Sequence, residues 1–147
     1  DWLPEKPYAV FLTATSRDDK LWPETHWLAL GRKLHELGIA AILPGGSAVE
    51  RERAARLAGA IPGAVAAPPL SISQLAALLA GGKVAVGVDT GLTHLAVALN
   101  IPTVALYTAT DPGLTGVLGA AFYRNLGGKA QIPSVQAVLD ELRPVLG

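Results

Sequence analysis

Residues Val84–Pro112 read VAVGVDTGLTHLAVALNIPTVALYTATDP, and the pattern of this stretch decides the fold. Five apolar or small residues, Val84 to Val88, run into an abrupt polar turn at Asp89-Thr90-Gly91. Leu92, Leu95, Ala96 and Leu99 then recur at i, i+3, i+4 and i+7, one face of a helix, which Asn100-Ile101-Pro102 ends. A second apolar run, Thr103 to Tyr107, follows. Strand, helix and strand, with strands apolar on both sides, make a βαβ crossover of a covered parallel sheet. Ligands of such sheets sit beyond the carboxyl ends of the strands, against helix N-termini. Asp89-Thr90-Gly91 is therefore the first candidate site.

Working outward, the same alternation fills the chain. Asp1 to Pro7 carries two prolines and reads as a linker, and Tyr8 to Leu12 as a strand. The polar stretch Thr13 to Lys20 reads as a loop. Pro23 suits the first turn of a helix whose buried stripe is Trp27, Leu30, Leu34 and Leu37, with Gly38 stopping it at C′. Ile39 to Leu43 is a second strand, before Pro44-Gly45-Gly46. Ser47 and Glu50 have capping-box spacing, as do Ser71 and Gln74, and each pair opens a helix. Between those helices lies a short strand, Val65-Ala66; the second helix turns Ile72, Leu75 and Leu79 inward and ends at Gly81-Gly82. Tyr107 to Gly119 is a long Gly/Thr/Pro loop of the kind that is commonly functional. Phe122 to Leu126 forms a last short strand, and Pro133-Ser134 starts a helix with Val135, Val138, Leu139 and Leu142 on one side. The expected fold is α/β: a Rossmann-like, doubly wound sheet of five or six mainly parallel strands, in one domain over residues 1–147.

Composition removes several function classes. Half of the 147 residues are hydrophobic, yet no apolar run approaches the roughly 20 residues of a membrane span. Net charge is zero and the basic residues are scattered, so no nucleic-acid footprint is visible. The absence of Cys rules out disulfides and thiolate metal sites and fits a reducing compartment. The chain opens on Asp, not Met, with no charged-then-apolar leader, and reads as a piece of a longer protein.

The turns supply the chemistry. With Asp89 as N-cap, the free amides of Thr90, Gly91 and Leu92 and the helix dipole attract an anion such as phosphate. Gly91 lets a ligand oxygen approach without meeting a Cβ. His94, four residues after Thr90, shares its face and is placed to donate to a phosphate oxygen. An ordinary cap at Asp89 explains the pattern equally well. Thr13 to Lys20 opens onto the same sheet edge, where Lys20 offers a cation and Thr15 and Ser16 offer hydroxyls. The pattern alone favours a solvated loop in which Arg17, Asp18, Asp19 and Lys20 pair among themselves. Glu50 fits a capping box, and equally the acidic position beyond a second strand that grips ribose hydroxyls. His26 and His35 read as surface residues. No phosphate loop of the G-x-x-x-x-G-K-[ST] type, no G-x-G-x-x-G fingerprint and no nucleophile elbow is present. No cluster has metal-ligand spacing.

VGVDTGLTHLAVALNIPTVALYTATDPGLTG, together with TATSRDDKLWPETHW and the P-x-G-x-x-x-E stretch at Pro44 to Glu50, resembles the bacterial ADP-heptose:lipopolysaccharide heptosyltransferases. The likeness covers essentially the whole chain and is strongest to the members that add the first heptose of the inner core. It implies the C-terminal, donor-binding half of a GT-B glycosyltransferase, with the acceptor domain absent from this chain. By that resemblance Thr15, Ser16 and Lys20 contact diphosphate and heptose, Glu50 holds the ribose, and Leu70 lies against the adenine, where the family more often has methionine. Asp89 bonds heptose hydroxyls, and Thr90, Gly91 and His94 bind the phosphates. The resemblance further implies transfer from ADP-heptose to Kdo-lipid A at the cytoplasmic face of the inner membrane, with no metal, no other cofactor and no nucleic-acid partner. Its general base belongs to the other domain, so this chain alone is expected to be inactive, with Lys20 stabilising the leaving group. Two alternatives stay open: a heptosyltransferase II or another GT-B transferase, and a non-catalytic α/β module that binds nucleotide or phosphate.

Overall fold

Side chains along the first strand, β1 (Tyr8–Leu12), alternate between two apolar layers, because successive residues of a strand point to opposite faces. Ala9 and Phe11 join one buried cluster, and Tyr8, Val10 and Leu12 another. The computed structural model describes residues 3, 7–13, 22–88, 91–99, 101–107, 123–127 and 133–146, with only the backbone of 91, 92, 94, 97, 107 and 123–127. The elements after β1 run α1 (Glu24–Glu36), β2 (Ala40–Leu43), α2 (Ala48–Ala60), β3 (Val65–Ala66), α3 (Ile72–Gly81) and β4 (Val84–Val88). There follow α4 (Gly91–Ala98), β5 (Thr103–Tyr107), β6 (Tyr123–Gly127) and a last helix, α5 (Val135–Leu146). The expected loop over Tyr107 to Gly119 lies, from residue 108 on, outside the described residues.

The six described strands form one sheet in the order β3-β2-β1-β4-β5-β6, and every pairing is parallel. β1, β2 and β4 are buried along their whole length, which is why they read as unbroken apolar runs. One face carries α1, α2 and α5, whose Trp27, Leu30, Leu34, Leu57, Val138 and Leu142 pack with Phe11, Val86 and Val104. On the other, Leu78 and Leu79 of α3 and Ala96 of α4 cover Val10, Ile42 and Ala85.

Element ends follow local chemistry. Gly38 adopts the left-handed conformation at φ 80°; its N–H donates to His35 O and that of Ile39 to Leu34 O, a Schellman ending. Because the Ile39 amide is used there, β2 starts at Ala40 rather than at Ile39 as expected. Leu37, expected in the buried stripe of α1, lies beyond its last turn and is 60% exposed. Ile72, expected to face inward, is 72% exposed, and Leu78 takes its place beside Leu75 and Leu79. Ile72 is the first residue of α3 and has no preceding turn to lie against. Pro23 takes the N-cap position of α1, and β6 begins one residue later than expected. An aromatic stack fixes the entry to α1. Trp22 meets Trp27 edge to face with ring centres 4.8 Å apart, and its buried Nε1 donates to Pro133 O at 2.9 Å. That bond ties the start of α1 to the start of α5. Of the histidines, His35 is exposed, and His26 is half-buried against the Trp22 ring.

Candidate functional site

The sheet reverses its winding between β1 and β4, since the chain leaves β1 toward β2 and leaves β4 toward β5. Crevices at such switch points, beyond the carboxyl ends of the strands, are where open α/β sheets bind ligands. Leu12 lies beside Gly87, so the chain leaves β1 and β4 side by side. The stretches singled out for anion binding, Thr13 to Lys20 and Asp89 to His94, follow these two strands in the sequence. Thr15, Ser16, Lys20, Asp89 and Thr90 themselves lie outside the described residues. Gly91 is the first residue of α4 and His94 its fourth, with backbone alone described.

Only two residues separate the end of β4 from the start of α4. Its opening amides have no partner within the helix and, with the dipole, make a ready anion site. The start of the helix is tied to the strand by a residue that periodicity does not single out. Thr93 is fully buried, and its Oγ1 donates to Val88 O at 2.7 Å. A lone glycine inside an apolar strand often marks a close approach; Gly87 is that signal here, because a Cβ on it would meet Thr93 Oγ1.

Two further candidates follow the neighbouring strands β2 and β3. Glu50, in the first turn of α2 beyond β2, is half-buried, and its Oε1 accepts from Gly46 N at 2.8 Å. The Ser47 hydroxyl accepts from Glu50 N at 3.2 Å. The expected capping box is thus half formed: Ser47 caps the helix, but the carboxylate reaches one residue further back. Gly45 permits this close turn, since a Cβ there would sit 2.8 Å from Arg51 N. Leu70, beyond β3, is half-buried against the α3 layer. The complete capping box of Ser71 and Gln74, with bonds of 2.8 and 3.1 Å, fixes the backbone next to it. Val49 and Ile72, at the N-termini of α2 and α3, are 70% and 72% exposed. Nothing in the capping pattern marked these two apolar side chains as part of the edge. Among the described residues no group of three or more His, Cys, Asp or Glu is placed to hold a metal.

Comparison with known proteins decides among the nucleotide-binding versions of this fold. The profile of glycosyltransferase family 9 (heptosyltransferase) matches residues 2–142. The chain belongs to glycosyltransferase family 9. This family 9 chain is 48% identical over 116 residues to lipopolysaccharide heptosyltransferase 1 of Pseudomonas aeruginosa, covering 79% of the chain and 33% of that relative. Among solved structures it is similar to E. coli heptosyltransferase WaaC with ADP, at TM-score 0.86 and 41% identity, covering 97% of this chain and 46% of that one. E. coli ADP-heptose lps heptosyltransferase II gives TM-score 0.87 and 29% identity, over 97% of this chain and 47% of that one. The family 9 chain thus spans a third of the curated relative and about half of the solved ones.

Proposed function

We propose that this chain is the donor-binding half of a heptosyltransferase that moves L-glycero-D-manno-heptose from ADP-heptose to the Kdo-lipid A inner core of lipopolysaccharide. The observation that carries the reading is the switch-point crevice, with the start of α4 fastened at the end of β4, in a chain 41% identical to a relative solved with ADP. Higher identity to that relative than to heptosyltransferase II, 41% against 29% at similar TM-scores, favours addition of the first heptose.

In this reading residues 1–147 form one donor domain, and the acceptor domain and general base lie outside the chain. The acceptor hydroxyl attacks the anomeric carbon directly as the bond to ADP breaks, which inverts configuration. Negative charge then grows on the departing diphosphate. Lys20, the opening amides of α4 with Thr90 and Gly91, and His94 meet that charge, helped by the hydroxyls of Thr15 and Ser16. Asp89 faces heptose hydroxyls rather than phosphate, Glu50 holds the ribose, and Leu70 lies against the adenine. The enzyme works at the cytoplasmic face of the inner membrane; among the described residues no helix is long and apolar enough to cross it.

Titration calorimetry of the chain with ADP, ADP-heptose and UDP tests the reading. ADP and ADP-heptose bind in preference to UDP, and the chain alone transfers no sugar. Equal indifference to all three would favour a non-catalytic α/β module.

A further inference from the structure

We infer that Thr93, through its bond to β4, is a positioning residue that sets the opening turn of α4 for the anionic part of the donor. The inference rests on the donor-binding reading above. α4 has eight residues, too few to hold together without tertiary contacts. Ala96 is fully buried, and Leu95 and Leu99 pack half-buried against the sheet layer, which places the body of the helix. Its start is placed by Thr93. The hydroxyl spans the turn and donates to Val88 O, the last carbonyl of β4, at 2.7 Å. β4 itself is held by β1 and β5, with Gly87 beside both Leu12 and Ala105. The space for the hydroxyl exists only because residue 87 lacks a Cβ, which would meet Thr93 Oγ1 and come within 3.0 Å of Leu12 Cβ. Glycine in the strand and threonine in the helix thus form one device. A buried hydroxyl without an acceptor costs free energy, so the bond also discourages any other seating of the turn. The first amides of the helix, which have no partner within it, belong to the very residues whose seating this bond fixes.

Thr93→Val keeps the shape and removes the hydroxyl, whereas Thr93→Ser keeps the hydroxyl and loses a methyl group. Amide hydrogen exchange without nucleotide reads the lock, and ADP titration well below the melting temperature reads its use. In Thr93→Val, exchange at residues 95–97, whose amides donate to the carbonyls of the opening turn, accelerates selectively, and ADP binds about tenfold more weakly, the scale of one lost hydrogen bond. Thr93→Ser restores both, although its melting temperature falls as well. Thr93→Ser and Thr93→Ala differ by the hydroxyl alone and give the same contrast should Thr93→Val not fold. Wild-type exchange and affinity in Thr93→Val would overturn the inference, as would a Thr93→Ser variant no better than Thr93→Val, which would make methyl packing the cause. A wild-type chain with no affinity for ADP would instead overturn the donor reading and the use assigned to the lock, while the exchange contrast still decides whether the lock exists.

Discussion

Tyr8 is nearly buried, and its hydroxyl donates to Leu78 O at 2.6 Å across 70 residues of sequence. Tyr8→Phe leaves that carbonyl of α3 short of a donor and is expected to cost about 1–2 kcal/mol in denaturant unfolding. Burial also raises the phenol above its ordinary value of 10.0. The folded chain therefore holds this proton more tightly than the unfolded one. The resulting stability is complete below pH 10.0 and is lost as pH climbs through the folded value. Unfolding curves of Tyr8→Phe should lack that alkaline decline. Glu24 behaves in the opposite sense. Its carboxylate takes a two-pronged contact from Arg56, 2.6 Å from Nη2 and 3.2 Å from Nε, and the hydrogen bond from Arg56 is the main cause of a pKa below 4.5. The gain is present above pH 4.5 and disappears as pH falls through the folded value. Arg56→Ala should lower the melting temperature slightly at neutral pH, with the difference closing in acid and in high salt. At this scale the sequence was readable where a residue acts on near neighbours, as at Ser71 and Gln74. It was ambiguous at Glu50, where both readings rest on the same spacing. It was silent at Thr93, because the acceptor of that hydroxyl is fixed only once strand and helix are docked.

Gly31 shows how helices constrain one another. A Cβ at this position in α1 would lie 2.6 Å from Ile61 Cγ2 and 2.8 Å from its Cδ1. Glycine inside a helix normally costs about 1 kcal/mol relative to alanine, so Gly31→Ala would stabilise an isolated α1. Here overpacking against the buried Ile61 reverses the sign, and a net loss of about 1–2 kcal/mol is expected. Combining it with Ile61→Ala should give a double variant more stable than the sum of the two single changes, as thermal melts will show. Strands, helix starts and helix stops were legible as elements because each is a local signal: an unbroken apolar run, a capping serine, the glycine at position 38. The contact between Gly31 and Ile61 was not, since thirty residues separate them in sequence. The exposed Ile72 is the complementary failure, since as the first residue of α3 it fits the apolar period but has no preceding turn to lie against.

α5 closes one face of the molecule, with Val138, Leu139 and Leu142 packed among Trp27, Leu30 and Leu34. Burial of three such side chains contributes about 4.5–9 kcal/mol, as much as the whole stability of an ordinary domain. A chain ending before Pro133 should therefore lose its cooperative melt, bind a hydrophobic dye and show red-shifted tryptophan emission. The parallel α/β architecture was legible at this scale from alternating strands and helices. The order of strands was not, because nothing local tells a strand which neighbour it will have. That order has a consequence for synthesis. β1 lies between β2 and β4, yet it is synthesised before both, and residues 84–87, which complete its second edge, lie 75 positions further along the chain. Until they emerge, a fully apolar ribbon waits with half its backbone groups unclaimed, the kind of nascent segment that invites aggregation and that a ribosome-bound chaperone is suited to shield.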